Sequence, residues 1–184
     1  YWNNFHTGEH TGTRFDAPIH WVTGKDLDDV SQVPPARLVG PAVVLDFAKE
    51  AAANPDFCLD VSHVQAWEKA NGAIPKGAWV MFRTGWSKFG DDAKAFANAD
   101  ENGPHTPGLT VECAEYFATK TEILGMGVET VGTDAGGAFG FSMPFPCHTL
   151  FLGNNKYGLT QLRNLDKLPT TGAIVIAAPL KIVG

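Results

Sequence analysis

Residues 10–20 read HTGTRFDAPIH. His10, Asp16 and His20 are spaced at even offsets, which in an extended strand point side chains to one face. Such a row offers neutral imidazole nitrogens and a carboxylate that can bridge two ions, a donor set for zinc or manganese. The same residues also suit a plain hydrogen-bonded turn, with Asp16 before Ala17-Pro18 as an Asx turn. Arg14 interrupts the row. A guanidinium stays protonated and cannot ligate. Two unit charges ~4 Å apart interact by ~4 kcal/mol at an effective dielectric of about 20, and a divalent ion feels about twice that repulsion.

These residues need elements to hold them. Residues 1–35 are turn-rich and end at Pro34-Pro35, which stops regular structure and leads into a strand. Gly12 and Pro18 break the row itself, so it is expected at a strand edge or in a loop. The β-branched run at 36–47 predicts a buried strand, and 77–86 a second one. Residues 62–71 read as a helix with Ser62 as its cap, and 109–121 as a helix capped by Thr110 with Glu112 in its first turn. Between them, 87–107 is a polar Gly/Asp/Asn-rich excursion with a helical turn near 92–98. Residues 122–134 form a strand ending in the loop GTDAGG, TQLRNLDKLP is a short helix or turn, and 172–184 is a closing strand. Strands interleaved with a few helices predict one mixed α/β domain around a β core over residues 1–184.

Composition excludes several partners. The net charge is −6 and the basic residues are scattered, which argues against nucleic acid. No apolar run is long enough to span a bilayer as a helix. Cys58, Cys113 and Cys147 are odd in number and form no CxxC pair, so a reduced, cytoplasmic setting is the expectation. A small-molecule substrate remains. Trp2, Phe5, Phe15, Trp21 and Phe139 are candidates for an aromatic pocket or for ordinary core. Thr133 and Asp134 end a strand beside flexible glycines, where Asp134 would orient a histidine, pair with Arg14, or simply cap a turn.

The row resembles the motif HxGTHxDxPxH of the cyclase family, metal-dependent amide and lactone hydrolases of the kynurenine formamidase and isatin hydrolase type. His10, Gly12, Thr13, Asp16, Pro18 and His20 match it. RLVGPAVVLDF, GAWVMFRTGW, VETVGTDAGG, CHTLFLGNN with TQLRNLDKLP, and AAPLKIVG resemble later family segments in the same order. The resemblance implies a compact β/β/α barrel-like α/β domain, usually oligomeric, with further residues before the motif and after the last strand. It implies that His10 is a first-metal ligand, Asp16 a bridging ligand, His148 a second-metal ligand and His20 the proton donor and acceptor.

The chain departs from the family at two ligands. Arg14 replaces a histidine, and Thr160, twelve residues after His148, replaces a glutamate. Arg14 then has three readings: it occupies an ion's place and pairs with Asp16, it reads a carboxylate on the substrate as a planar fork, or it stands aside from a single metal on His10, Asp16 and His148, or with His20. Three protein ligands and a water suffice for a catalytic zinc. The leading expectation is a hydrolase of a small amide, imide or lactone using one divalent ion, Zn²⁺ or Mn²⁺. In it His20, Arg14 and Asp16 do the chemistry, and Arg14, Trp21, Thr133 and Asp134 line the substrate. The competing expectations are a metal-free binding protein and a metal-independent hydrolase on the same scaffold. His6 and Glu9 are secondary candidates, and His63 and His105 are expected to serve surface roles.

Overall fold

The computed structural model describes residues 2–183. In chain order the elements are β1 (Arg14–Asp16), β2 (Val39–Asp46), α1 (Ala48–Ala53), β3 (Cys58–Leu59), α2 (Val61–Asn71), β4 (Trp79–Arg83), α3 (Ala93–Ala97), β5 (Ala99–Asp100), β6 (Gly103–Pro104), β7 (Gly108–Leu109), α4 (Val111–Thr119), β8 (Gly125–Val128), β9 (Tyr157–Thr160) and β10 (Ala173–Ile176). Six strands make one mixed sheet in the order β1-β9-β8-β4-β2-β10. The four central strands run parallel; β1 and β10 close the edges antiparallel.

Parallel strands need crossovers, and the helices supply them. Residues alternate across the sheet as the pleat requires. Val43, Leu45, Val80, Phe82, Met126 and Val128 pack with Phe117 and Leu59 on the helix side. Ala42, Val44, Trp79, Met81, Tyr157 and Leu159 pack with Val33 and Ala17 on the other. Burial on both faces is why these segments read as continuous apolar runs. The mixed α/β expectation holds, and the sheet forms half a barrel.

Local details differ from the sequence reading where short-range hydrogen bonds decide. The cap of α2 is Asp60, not Ser62: the Asp60 carboxylate accepts from the His63 backbone N–H, while His63 Nδ1 accepts from the Asp60 N–H. His63 therefore has a local structural partner. His105 does too, bridging Asp56 at 2.9 Å and Asp100 at 3.2 Å. The excursion contains α3 and the β5–β6 hairpin. Thr160 ends a strand, and the chain then turns through left-handed Gln161 and Asn164 into a 3₁₀ turn at Leu165–Lys167. No helix among the described residues is long and apolar enough to cross a membrane.

Lys156 ties the start of β9 to the end of the α4 crossover. It is 7% exposed, and its Nζ donates to Thr121 and Ile123 carbonyls. Burial, with Arg37 nearby, pulls its pKa from 10.5 to about 8. Between those values the unfolded chain binds more protons than the folded one, so stability rises with pH. The cost at neutral pH is on the order of 3 kcal/mol. Urea titrations at pH 7.5 and 9.5 should show stability rising in the native protein and a markedly smaller rise in Lys156→Met.

Candidate active site

The site is built where the edge strand β1 meets β9. The register pairs Arg14 with Thr160, Phe15 with Leu159 and Asp16 with Gly158. Phe15 turns into the core, its ring 5.2 Å from Tyr157 and 6.4 Å from Trp79. Alternation therefore sends Arg14 and Asp16 to the opposite face. Gly158 leaves space beside Asp16: a Cβ there would lie 3.0 Å from Asp16 Oδ2.

The row is not one extended strand. After Asp16 the chain enters a 3₁₀ turn at Pro18–His20 and a second at Val22–Gly24. Pro18 starts the first turn, where its fixed φ suits helical geometry and no N–H is missed. Gly24 lets the second turn nest closely, because a Cβ there would sit 2.1 Å from the Pro18 carbonyl and 3.0 Å from that of Leu152. Leu152 ends a π-helical turn, His148–Leu152, which begins with His148. Such turns are rare and concentrate at functional sites. The nesting of the two segments brings His20 against His148, with ring centroids 5.6 Å apart.

Asp16, His20 and His148 each present one potential ligand atom within 4.8 Å of the others. Asp16 is 4% exposed and its Oδ2 has no hydrogen-bond partner. Asp134 aligns the far side. One oxygen accepts from the Cys147 N–H at 2.6 Å; the other accepts the His148 N–H at 3.1 Å and lies 2.5 Å from His148 Nδ1. A carboxylate on Nδ1 fixes the tautomer and leaves Nε2 unprotonated, its lone pair available to an ion. Asp134 thus contacts both the backbone and the ring of His148. Carboxylate partners of ligand histidines typically contribute 10–100-fold. Asp134→Asn is accordingly expected to weaken metal affinity ~10–100-fold, as measured by competitive chelator titration.

His20 is exposed at one edge and packed at the other. Burial holds its pKa below the ordinary histidine value; His148, Arg14 and His10 add to the lowering and Asp16 opposes it. The ring is thus neutral at pH 7 and ready to accept a proton. Arg14 is not aimed into open space. Its side chain is 9% exposed, Nε stands 3.4 Å from Asp16 Oδ1, and one terminal nitrogen donates to the Val131 carbonyl at 2.6 Å. Thr160, directly across the ladder, is fully buried and its hydroxyl has no partner.

His10 lies on the exposed segment before β1, outside the group of three but near enough to bear on the charge of His20. Thr133 is buried behind Gly158. Of the aromatic candidates, only Trp21 borders the site, 4.7 Å from His148. Trp2, Phe5 and Phe139 are exposed, and Phe15 is core. The sequence reading missed Phe145, whose ring meets Trp21 edge-on at 5.6 Å. Its place between two prolines in PFPC is visible in the sequence, but the ring it meets is not.

A buried carboxylate and two imidazoles beside an aromatic wall, set on a mixed α/β sheet, make the apparatus of a small-molecule hydrolase. The cyclase family model matches residues 1–135. Isatin hydrolase of Roseibium aggregatum is 51% identical over 183 residues, covering 98% of this chain and 69% of that protein. The crystal structure of an isatin hydrolase bound to the product analogue thioisatinate has a TM-score of 0.96 at 50% identity, covering 99% of this chain and 70% of that one. A potential metal-dependent hydrolase with cyclase activity has a TM-score of 0.68 at 25% identity, covering 97% and 75%. The chain belongs to the cyclase family, and it is a hydrolase.

Proposed function

We propose that the chain is one hydrolase domain that opens the ring amide of a flat, fused keto-amide of the isatin type, with a single divalent ion, zinc or manganese, held by Asp16, His148 and His10. The observation that carries this reading is the convergence of Asp16, His20 and His148 within 4.8 Å, with His148 oriented by Asp134. The substrate class comes from the 51%-identical relative and from the product analogue in the related crystal structure.

The residues fit such an ion. Asp16 Oδ2 is a buried carboxylate oxygen with no partner, and the Asp134–His148 pair is the support that a ligand histidine needs. A divalent ion supplies an acidified water at neutral pH and polarises a carbonyl. The protein's part is acid–base work and placement. Neutral His20 takes a proton from the attacking water and returns it to the departing ring nitrogen. A C–O bond forms, the ring C–N bond breaks, and the products are a carboxylate and an aromatic amine on one molecule. Arg14 stands beside Asp16 and holds it in place.

The test follows loss of isatin absorbance before and after removal of metal by EDTA. Expected is stoichiometric metal, loss of activity on chelation and recovery with Mn²⁺ or Zn²⁺. The Arg14–Asp16 pair gives the site a cation of its own, which favours metal-independent hydrolysis as the second reading. Activity that survives chelation selects that reading. His10→Ala should lower metal content, whereas failure to do so removes His10 from the ligand set.

A further inference from the structure

Phe145 stands in a conformation that its residue type disfavours. Its φ is 51°, in the left-handed region where a Cβ crowds the backbone, and it precedes a proline, which restricts it again. A glycine would sit there with less strain. Two backbone bonds pin it: the Phe145 N–H donates to the Ala138 carbonyl, and the Thr149 N–H donates to the Phe145 carbonyl. Together they join the 3₁₀ turn Gly136–Gly140 to the π-helical turn that carries His148. Strain of this kind concentrates at functional sites.

The ring it holds out is half-buried and meets Trp21 at an interplanar angle of 65°, while Trp21 lies against His148. Two aromatic walls at a steep angle form a corner beside the catalytic imidazoles. A flat fused ring seated there lays its face on one wall and its edge on the other, both favoured aromatic geometries.

We infer that Phe145 is a specificity-determining residue, forming with Trp21 an aromatic corner that selects fused bicyclic over monocyclic cyclic amides. This rests on the cyclic-amide reading above. The experiment measures binding without reaction, using oxindole as an unreactive fused lactam and 2-pyrrolidinone as its monocyclic counterpart, by calorimetry on the native protein, Phe145→Gly and Phe145→Leu. The leucine variant keeps side-chain bulk and guards against a glycine variant that fails to fold.

Expected is at least tenfold weaker oxindole binding in Phe145→Gly and at least fivefold in Phe145→Leu, with 2-pyrrolidinone affinity shifted less than threefold and melting temperatures close to native. Variants that bind oxindole as tightly as the native protein overturn the inference. So does a parallel loss for both lactams, which marks a structural role, and so does a native protein that does not bind oxindole. Isatin turnover by the native protein is scored separately. If it is absent while oxindole selectivity follows Phe145, the corner stands and the reaction assignment falls.

Discussion

His20→Ala is expected to lower kcat by ~10²–10⁴-fold, the range for a positioned acid–base group, while bound metal stays at the native level. The two parts of that result depend on different features. His20 is the member of the convergent group that keeps one edge in water and, among the described residues, has no carboxylate hydrogen-bonded to its ring. His148 has Asp134 on its Nδ1, as a ligand requires. Asp16 is buried with a free oxygen. The ring of His20 is held neutral chiefly by burial, with His148, Arg14 and His10 in support. Such a ring can accept a proton from water without first losing one. Elemental analysis beside steady-state kinetics checks the result. A variant that loses its metal along with its activity would make His20 a ligand and shift the proton to another group.

The sheet was legible in the sequence because its central strands are buried on both faces, so their residue types leave little freedom. The runs at 36–47 and 77–86 became β2 and β4 for that reason. Thr110 as a cap was legible because cap chemistry is local, and its hydroxyl does accept the Cys113 N–H. Ser62 failed as a cap because Asp60, two residues earlier, makes the stronger charged acceptor. The site was legible in its members and not in its geometry. Even offsets suggested a strand face, but Pro18 turned the chain into a 3₁₀ helix, and His20 reaches the site by that turn. The Arg14–Thr160 pairing was out of reach, because a ladder register between residues 146 apart is set by tertiary packing. Phe145 was missed because nothing local to PFPC says which ring it will face.

That register makes the two departures from the family motif a single structural unit. Arg14 and Thr160 face each other across β1 and β9, so the small threonine leaves room on the face where the guanidinium lies. The guanidinium neutralises Asp16 from inside the protein. Arg14→Met removes one partner of a buried pair and strands the other, a change that typically costs ~3–5 kcal/mol. The loss should appear in full in EDTA and largely disappear with saturating Mn²⁺, since an ion that binds only the folded state stabilises it by mass action. A structural arginine unrelated to the metal would give the same loss under both conditions. The stronger form of the argument restores both ligands together. Arg14→His with Thr160→Glu removes a cation that repels a neighbouring divalent ion by ~8 kcal/mol at ~4 Å and an effective dielectric of about 20, and it adds an imidazole and a carboxylate on one face. The double variant should bind two Mn²⁺ per chain where the native protein binds one, and its electron paramagnetic resonance spectrum should show a spin-coupled pair in place of an isolated ion. Two ions in the native protein, or one in the double variant, would show that Arg14 does not set the stoichiometry.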